Sequence, residues 1–329
     1  MLVSIVVPCH NEDAVIEIFY RELSAVLDGI EGYGFEVVLV DDGSSDSTSD
    51  RMHALAGNDN RVKVISFSRN FGKESAILAG LQYSQGDMIA VMDADLQDPP
   101  SLLPQMIRYI ETGYDCVATR RVTRTGEPVI RSFFARQFYK LIKRLSNVDM
   151  VDGARDYRLM TRQVVNAILS MPEYHRFSKG IFGWVGFKNY WIPYENVERA
   201  AGESSWSFWK LFAYAVEGII AFTVVPLRAA SFSGILFSVL AFIYLVYIIV
   251  RTFVLGIDVP GYASTIAVVL FMGGIQLLSV GVLGEYMART YMEVKQRPHF
   301  IIKQMNLGNN AIQAMEEEVT AEYAFRFEK

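Results

Sequence analysis

Nine residues, Met92-Asp93-Ala94-Asp95-Leu96-Gln97-Asp98-Pro99-Pro100, concentrate acidic chemistry in one short stretch. An apolar run from Met88 to Met92 leads into them and reads as a buried strand, and a pair of prolines stops them. Three carboxylates fall within six residues, with Asp93 and Asp95 two apart. At the fraying end of a strand the chain can turn so that both reach one point. Two acidic oxygens there suit a hard divalent cation, Mg²⁺ or Mn²⁺. Mg²⁺ takes one or two protein carboxylates and leaves its other positions to phosphates and water. The stretch therefore reads as a metal–diphosphate site at the carboxyl end of a parallel strand. The competing reading is a polar loop in which Asp98 or Ser101 caps the next helix.

The elements around it repeat one pattern. Apolar strands at Leu2–Val7, Phe35–Val40, Val62–Phe67, Met88–Met92 and Asp115–Thr119 are spaced by helical patterns. The clearest of these is Ala14–Leu27, with Ile18, Phe19, Leu23, Val26 and Leu27 on one side. Such alternation implies βαβ units, an α/β fold with a mostly parallel sheet and helices on both faces. Near-continuous apolar strands fit a sheet covered on both sides. The polar clusters at residues 8–12, 41–46, 68–73 and 120–121 all follow strands, where open α/β sheets bind ligands. Phe187–Tyr194 reads as a further strand. Val129–Leu145 reads as a basic amphipathic helix with interleaved aromatics, either a membrane-surface helix or a solvated face.

Composition sets the wider limits. The chain has 329 residues and a net charge of -5, so nucleic acid finds no electrostatic support and is not expected as a partner. The two cysteines, Cys9 and Cys116, lie on expected strands and read as buried, reduced thiols. Met1–Val7 is too short for a signal peptide before its Pro-containing turn. From Trp206 the character changes: Trp206, Phe208, Trp209, Phe212 and Tyr214 with Lys210 suit a membrane interface. Ala229–Val250 gives 22 residues without a charge and Val259–Gly284 gives 26. Each exceeds the roughly 20 needed to cross a ~30 Å hydrocarbon core. The short Arg251–Asp258 connection makes them an antiparallel hairpin. Arg228, Arg289, Lys295 and Arg297 flank one side and Arg251 alone the other, which places both termini and the N-terminal domain in the cytoplasm. The expected division is 1–205, a cytoplasmic domain; 206–228, amphipathic interface helices; 229–290, the transmembrane hairpin; and 291–329, a cytoplasmic tail. Gly273, Gly274, Gly281 and Gly284 would let hairpins of separate copies pack closely, giving a homo-oligomer.

Four stretches occur in an order and spacing that resemble the family 2, inverting glycosyltransferases. They are Val6-Val7-Pro8-Cys9-His10-Asn11-Glu12, Val40-Asp41-Asp42-Gly43-Ser44-Ser45-Asp46, Asn70-Phe71-Gly72-Lys73-Glu74 and Asp93-Ala94-Asp95-Leu96-Gln97-Asp98-Pro99-Pro100. Within that family the chain is similar to the bacterial polyprenyl-phosphate (bactoprenol) glucosyltransferases, relatives of dolichol-phosphate mannose synthases. Asp156-Tyr157-Arg158-Leu159-Met160, Trp209-Lys210-Leu211, Val259-Pro260-Gly261-Tyr262-Ala263 and Gly284-Glu285-Tyr286 extend the likeness over nearly all of residues 1–300.

The resemblance implies a GT-A-like nucleotide-sugar fold, a UDP-sugar donor, a polyprenyl phosphate acceptor and Mg²⁺ or Mn²⁺. It also implies a place in the bacterial cytoplasmic membrane and a role in cell-envelope glycosylation. Pro8, Asn11 and Glu12 would border the nucleotide, and Asp41 or Asp42 would hold the uracil or ribose. Asp93 would face nucleotide and sugar, Asp95 and Gln97 would hold metal and diphosphate, and Asp98 would lie near the sugar. Lys73 would reach a phosphate or simply start a helix. Asp156 or Asp98 would orient the acceptor. Arg120 and Arg131 match arginines that hold the acceptor phosphate, with Arg121, Arg124 and Arg136 as alternates; guanidinium is suited to this by its fixed charge and planar fork. Asp156 and Arg158 match the acceptor-loop signature. Arg199 opens a stretch resembling a loop that closes over the diphosphate. This chain departs there, with Ser205 where the family often has Lys, so Arg199 or Lys210 would supply that contact. Two rivals are a processive polysaccharide synthase, whose Gln-x-x-Arg-Trp stretch is missing here, and a non-catalytic membrane subunit handling lipid-linked sugars.

Overall fold

The computed structural model describes residues 1–121, 151, 153–171, 173–194, 223–255 and 261–306. Eight strands form one mixed sheet: β1 (Leu2–Cys9), β2 (Gly34–Asp41), β3 (Val62–Phe67), β4 (Met88–Val91), β5 (Cys116–Arg121), β6 (Ala154–Thr161), β7 (Asn189–Tyr194) and β8 (Ile302–Asn306), in the order β7-β5-β6-β4-β1-β2-β3-β8. The β3-β2-β1-β4 half is parallel, as is the β5–β7 pair. Helices α1 (Ile16–Asp28), α2 (Thr48–Asn58), α3 (Lys73–Tyr83) and α4 (Leu103–Glu111) connect the parallel strands, and α5 (Arg162–Leu169) and α6 (Ser178–Trp184) lead to β7.

Strand alternation decides which helix covers which face. Val3, Ile5 and Val7 point with Val37 and Leu39 into a core closed by Phe19, Leu23 and Leu27 of α1, Met52 of α2 and Met106 of α4. Val6 points the other way, onto α3. A Cβ at Gly80 would stand 2.1 Å from Val6 Cγ1, so only glycine lets α3 lie this close. Each fully buried Ile, Leu or Phe in these layers contributes about 1.5–3 kcal/mol. Pro8 is tolerated in β1 because pairing with β4 ends at Val6, two residues earlier.

Two strands depart from the sequence expectation. β6 lies between β4 and β5 and runs antiparallel to both. An antiparallel insertion needs no crossover helix, so the strand-helix rhythm gave no sign of it. β8 comes from the stretch expected to be a cytoplasmic tail. It pairs antiparallel with β3, Ser68 N–H donates to Ile301 O at 2.9 Å, and Phe300 stacks on Phe67 with centroids 5.0 Å apart. The exposed edge of β3 is covered in this way. Val129–Leu145, the aromatic belt from Trp206 and the chain beyond Asn306 lie outside the described residues.

By its contacts the chain divides into Met1–Ser207 with Pro298–Lys329, and Phe208–Arg297. The second unit holds α7 (Val225–Leu255) and α8 (Tyr262–Lys295), of 31 and 34 residues. Both are long and apolar enough to cross a membrane. Phe237 and Phe271 meet edge to face at 5.6 Å, and Tyr286 OH donates to Thr223 O at 2.7 Å. Large apolar side chains face outward: Phe232, Phe253 and Leu277 are 71%, 87% and 75% exposed.

Candidate active site

The carboxyl ends of β1, β2, β3, β4 and β5 and the amino end of β6 share one edge of the sheet. Three loops there lock into a cradle. Asn11, in the left-handed region at φ 56, accepts from Ser45 N–H at 2.9 Å and donates its own N–H to Ser44 Oγ at 3.0 Å. Glu12 N–H donates to Thr48 Oγ1 at 2.8 Å. Gly43, at φ 63, lies so close to the next loop that a Cβ would meet the Arg69 carbonyl carbon at 2.3 Å. Asp41 and Asp42 are both buried but differ in use. Asp41 Oδ1 accepts from Ser44 N–H at 2.9 Å. Asp42 spends both oxygens on the 68–73 loop, accepting from Phe71 N–H at 2.6 Å and Gly72 N–H at 2.9 Å. Burial pushes the Asp42 carboxyl above its ordinary range, against the pull of those two N–H groups. Of the two residues expected to hold uracil or ribose, Asp42 is therefore an anchor for the loop that delivers Lys73.

Lys73 begins α3 and stands between two carboxylates. Its Nζ lies 2.7 Å from Asp93 Oδ1 and 2.6 Å from Asp156 Oδ2. The antiparallel register explains the meeting: Val91 faces Arg158, and two residues further the same ladder would set Asp93 opposite Asp156. Lys179 Nζ approaches the other oxygen of Asp156 at 3.7 Å. Burial opposes ionisation of Asp156, but Lys179 and Lys73 outweigh it and hold the carboxyl well below the usual carboxylate range. Burial likewise opposes the charge on Lys73, and Asp93 and Asp156 overcome it, raising the ammonium pKa. Glu74, next along α3, accepts from Ser178 N–H at 3.0 Å and from the Ser178 hydroxyl, tying α3 to the start of α6.

The loop after β4 is held from a different direction. Leu96 takes a left-handed conformation at φ 57, and Asp95 Oδ1 accepts from Gln97 N–H at 3.0 Å. Arg155 reaches across from β6, donating Nη2 to Gln97 Oε1 at 3.0 Å and Nε to Asp98 Oδ1 at 3.2 Å. Tyr194 OH also donates to Asp98 Oδ1. Asp98 is 0% exposed, and its Oδ2 has no partner among the described residues. Burial raises its pKa against the Arg155 charge. Asp98 was expected near the sugar; instead it lies inside the fold, bound to Arg155 and Tyr194. Arg158 also departs from expectation. It is 3% exposed, its guanidinium sits 3.6 Å from the Phe182 ring, and it donates to the carbonyls of Asp156 and Arg155. So enclosed, it cannot hold a phosphate in this arrangement.

The pleat of β6 sorts these roles. Tyr157 and Leu159 point into the core under α1 and α4, and Arg155 shares their face, whereas Asp156 and Arg158 point toward α3 and α6. Arg120 is exposed at the carboxyl end of β5, on the same edge as the acidic loops. Arg131 and Arg199 lie outside the described residues. Arg155, Glu74, Lys179 and Tyr194 were given no role from the sequence; Arg155, directly before Asp156, and Glu74, directly after Lys73, each had a signal in their position.

No cluster of three or more His, Cys, Asp or Glu side chains suited to a metal occurs among the described residues. A hard cation that keeps water and phosphate ligands needs no such cluster. The residues that could hold it are Asp95 and Gln97, whose Oε1 has a second lone pair beyond the one Arg155 uses.

A family model described as Glycosyl transferase family 2 matches residues 4–169, and one described as the GtrB C-terminal hairpin matches residues 225–290. The Bacillus subtilis chain CsbB is 46% identical over 308 residues, 94% of this chain and 93% of its own. A prophage bactoprenol glucosyl transferase homolog from Escherichia coli is 42% identical over 305 residues, 93% and 99% of the two chains. The bactoprenol glucosyl transferase of Shigella phage SfII is 40% identical over 309 residues, 94% and 100%. Among solved structures, glucosyl-3-phosphoglycerate synthase from Mycobacterium tuberculosis overlays with a TM-score of 0.45 at 22% identity, over 67% of this chain and 77% of that one. With a family-model match over half its length, a matching hairpin and relatives at 40–46% identity over 93–94% of its residues, this chain belongs to glycosyl transferase family 2.

Proposed function

We propose that the protein transfers a hexose, glucose by its relatives' names, from a UDP-sugar to a polyprenyl phosphate such as undecaprenyl phosphate, with inversion. The observation that carries the reading is the Lys73-bridged pair of Asp93 and Asp156 beside Asp95, at the ligand-binding edge of a sheet whose chain also supplies an apolar hairpin. Pro8, Asn11, Glu12 and Asp41 border the nucleoside, and Asp93 faces the sugar. Asp95, with Gln97, holds Mg²⁺ or Mn²⁺. When bound, that ion supplies charge stabilisation at the leaving diphosphate. Lys73 adds positive charge there, and Arg199 is the residue we assign to the diphosphate from its sequence stretch. The acceptor phosphate, held by Arg120 and Arg131 and oriented by Asp156, attacks C1 opposite the diphosphate. Its second pKa of about 6 leaves it largely ionised at pH 7, so no strong general base is required. Asp42, Asp98 and Arg158 support the site from within.

The hairpin keeps the enzyme where its acceptor lies. Residues 1–194 and 298–306 contribute to one sheet, so the chain between them must begin and end on the same side of any membrane it crosses. Two crossings satisfy this, and the flanking Arg228, Arg289, Lys295 and Arg297 assign that side to the cytoplasm. Gly273, Gly274, Gly281 and Gly284 have open space where a Cβ would stand, room for a second copy of the hairpin.

The test is a donor panel with the purified full chain and Mn²⁺. UDP release from UDP-glucose that depends on undecaprenyl phosphate is the expected result. Release that ignores the lipid, or no release with any UDP-sugar, contradicts the reading.

A further inference from the structure

We infer that Arg155 is a positioning residue for the donor-side metal, acting through Gln97; this rests on the reading that Asp95 and Gln97 hold that metal. The guanidinium spans two neighbours on the loop after β4, Gln97 Oε1 at 3.0 Å and Asp98 Oδ1 at 3.2 Å. The second contact is accounted for by burial. Asp98 is fully enclosed, and an enclosed carboxylate requires a counter-charge. The first is not, because a neutral amide near the surface needs no arginine. Guanidinium carries donors only, so it donates to the oxygen end of the Gln97 amide and cannot pair with the nitrogen end. The amide is thereby fixed with its oxygen inward toward Arg155, one lone pair engaged and one left for a cation.

Arg155 is itself immobilised. It sits on β6, whose pairing with β4 sets its height along the sheet edge. Its side chain is 23% exposed, and the Asp98 carboxylate that it grips is also held by Tyr194 from β7. Three strands thus converge on the loop that carries Asp95. Lysine could replace the charge but not the fork, since one ammonium does not reproduce the planar two-point geometry. Groups that orient metal ligands from behind typically change metal affinity by 10–100-fold when removed.

The experiment uses the full chain in detergent and follows free Mn²⁺ by electron paramagnetic resonance during titration in the presence of UDP, with unfolding curves recorded alongside. Arg155→Gln is expected to weaken Mn²⁺ binding about 10–100-fold. Arg155→Lys should recover folding stability more completely than Mn²⁺ affinity, a split that a purely structural role would not give. If Arg155→Gln fails to fold because Asp98 is left without a counter-charge, the double variant Arg155→Gln/Asp98→Asn removes both charges and should show the same loss of Mn²⁺ affinity. Wild-type affinity in a folded Arg155→Gln or double variant overturns the inference and leaves the metal site standing. Absence of Mn²⁺ binding by the unaltered protein with UDP overturns the metal reading and this inference together.

Discussion

Four aspartates at one sheet edge divide into two pairs. Asp93 and Asp156 have side chains 22% and 17% exposed and share the ammonium group of Lys73. Asp42 and Asp98 are 3% and 0% exposed and bind backbone N–H groups, an arginine and a tyrosine. Asp42, Asp93 and Asp98 follow strands and Asp156 lies near the start of β6, and nothing in their immediate sequence tells one pair from the other. The difference lies in what a ligand could displace. A lysine on a flexible stem can turn from a carboxylate to a phosphate. A backbone amide, or an arginine anchored on a fully buried carboxylate, cannot leave without opening the fold. The open pair is accordingly available for chemistry, and the enclosed pair fixes the loops that present it.

Substitutions should separate the pairs by what they damage. The largest effect is expected from Asp98→Ala, which removes the fully buried carboxylate that Arg155 is paired with. Loss of one partner of such a pair costs about 3–5 kcal/mol, read as a lowered unfolding midpoint. Next comes Asp93→Asn, which should lower kcat/KM for UDP-glucose by roughly 10²–10³-fold, about 2.7–4 kcal/mol, with the unfolding midpoint nearly unchanged. If Asp93→Asn unfolded the protein while Asp98→Ala left it intact, the division would be reversed.

Asp42→Asn should cost about 1–3 kcal/mol, because an amide oxygen cannot replace two carboxylate acceptors and a buried N–H is left unsatisfied. This effect carries a pH signature. Burial raises the folded pKa of Asp42, so the folded state favours the protonated carboxyl. The stability so gained is complete below the ordinary carboxylate pKa of about 3.9 and is lost as pH rises through the raised value. Melting curves across that window should show the gap between wild type and Asp42→Asn narrowing as pH increases. The smallest change is expected away from both pairs. Phe300→Ala removes the stack on Phe67 and should cost about 1 kcal/mol in unfolding experiments. A full loss of folding there would make β8 a central element rather than an edge cover.

The parallel half of the sheet was legible because buried parallel strands are apolar on both faces and helices must connect them. Val62–Phe67 was expected at the limits it has, and β1, β2 and β4 within a residue or two. The two strands that no such rule announces, β6 and β8, are antiparallel, short on apolar residues and, for β8, separated from its partner β3 by more than two hundred residues. Within the site, the types and order of the acidic residues were legible, but their exposure was not. Asp98 and Asp95 differ by three positions, yet one is enclosed by Arg155 and Tyr194 from strands distant in sequence. Arg158 shows the same limit: a basic residue in a signature stretch reads as a phosphate ligand until the pleat of β6 turns it onto Phe182.

The most direct test of the account is the product itself. Full-length protein, Mn²⁺, undecaprenyl phosphate and UDP-glucose labelled at C1 should give a lipid whose glucose is joined through phosphate in the β configuration, seen by NMR of the purified lipid, and Asp93→Asn should give almost none. An α-linked product, or β-linked product made equally well by Asp93→Asn, would contradict it.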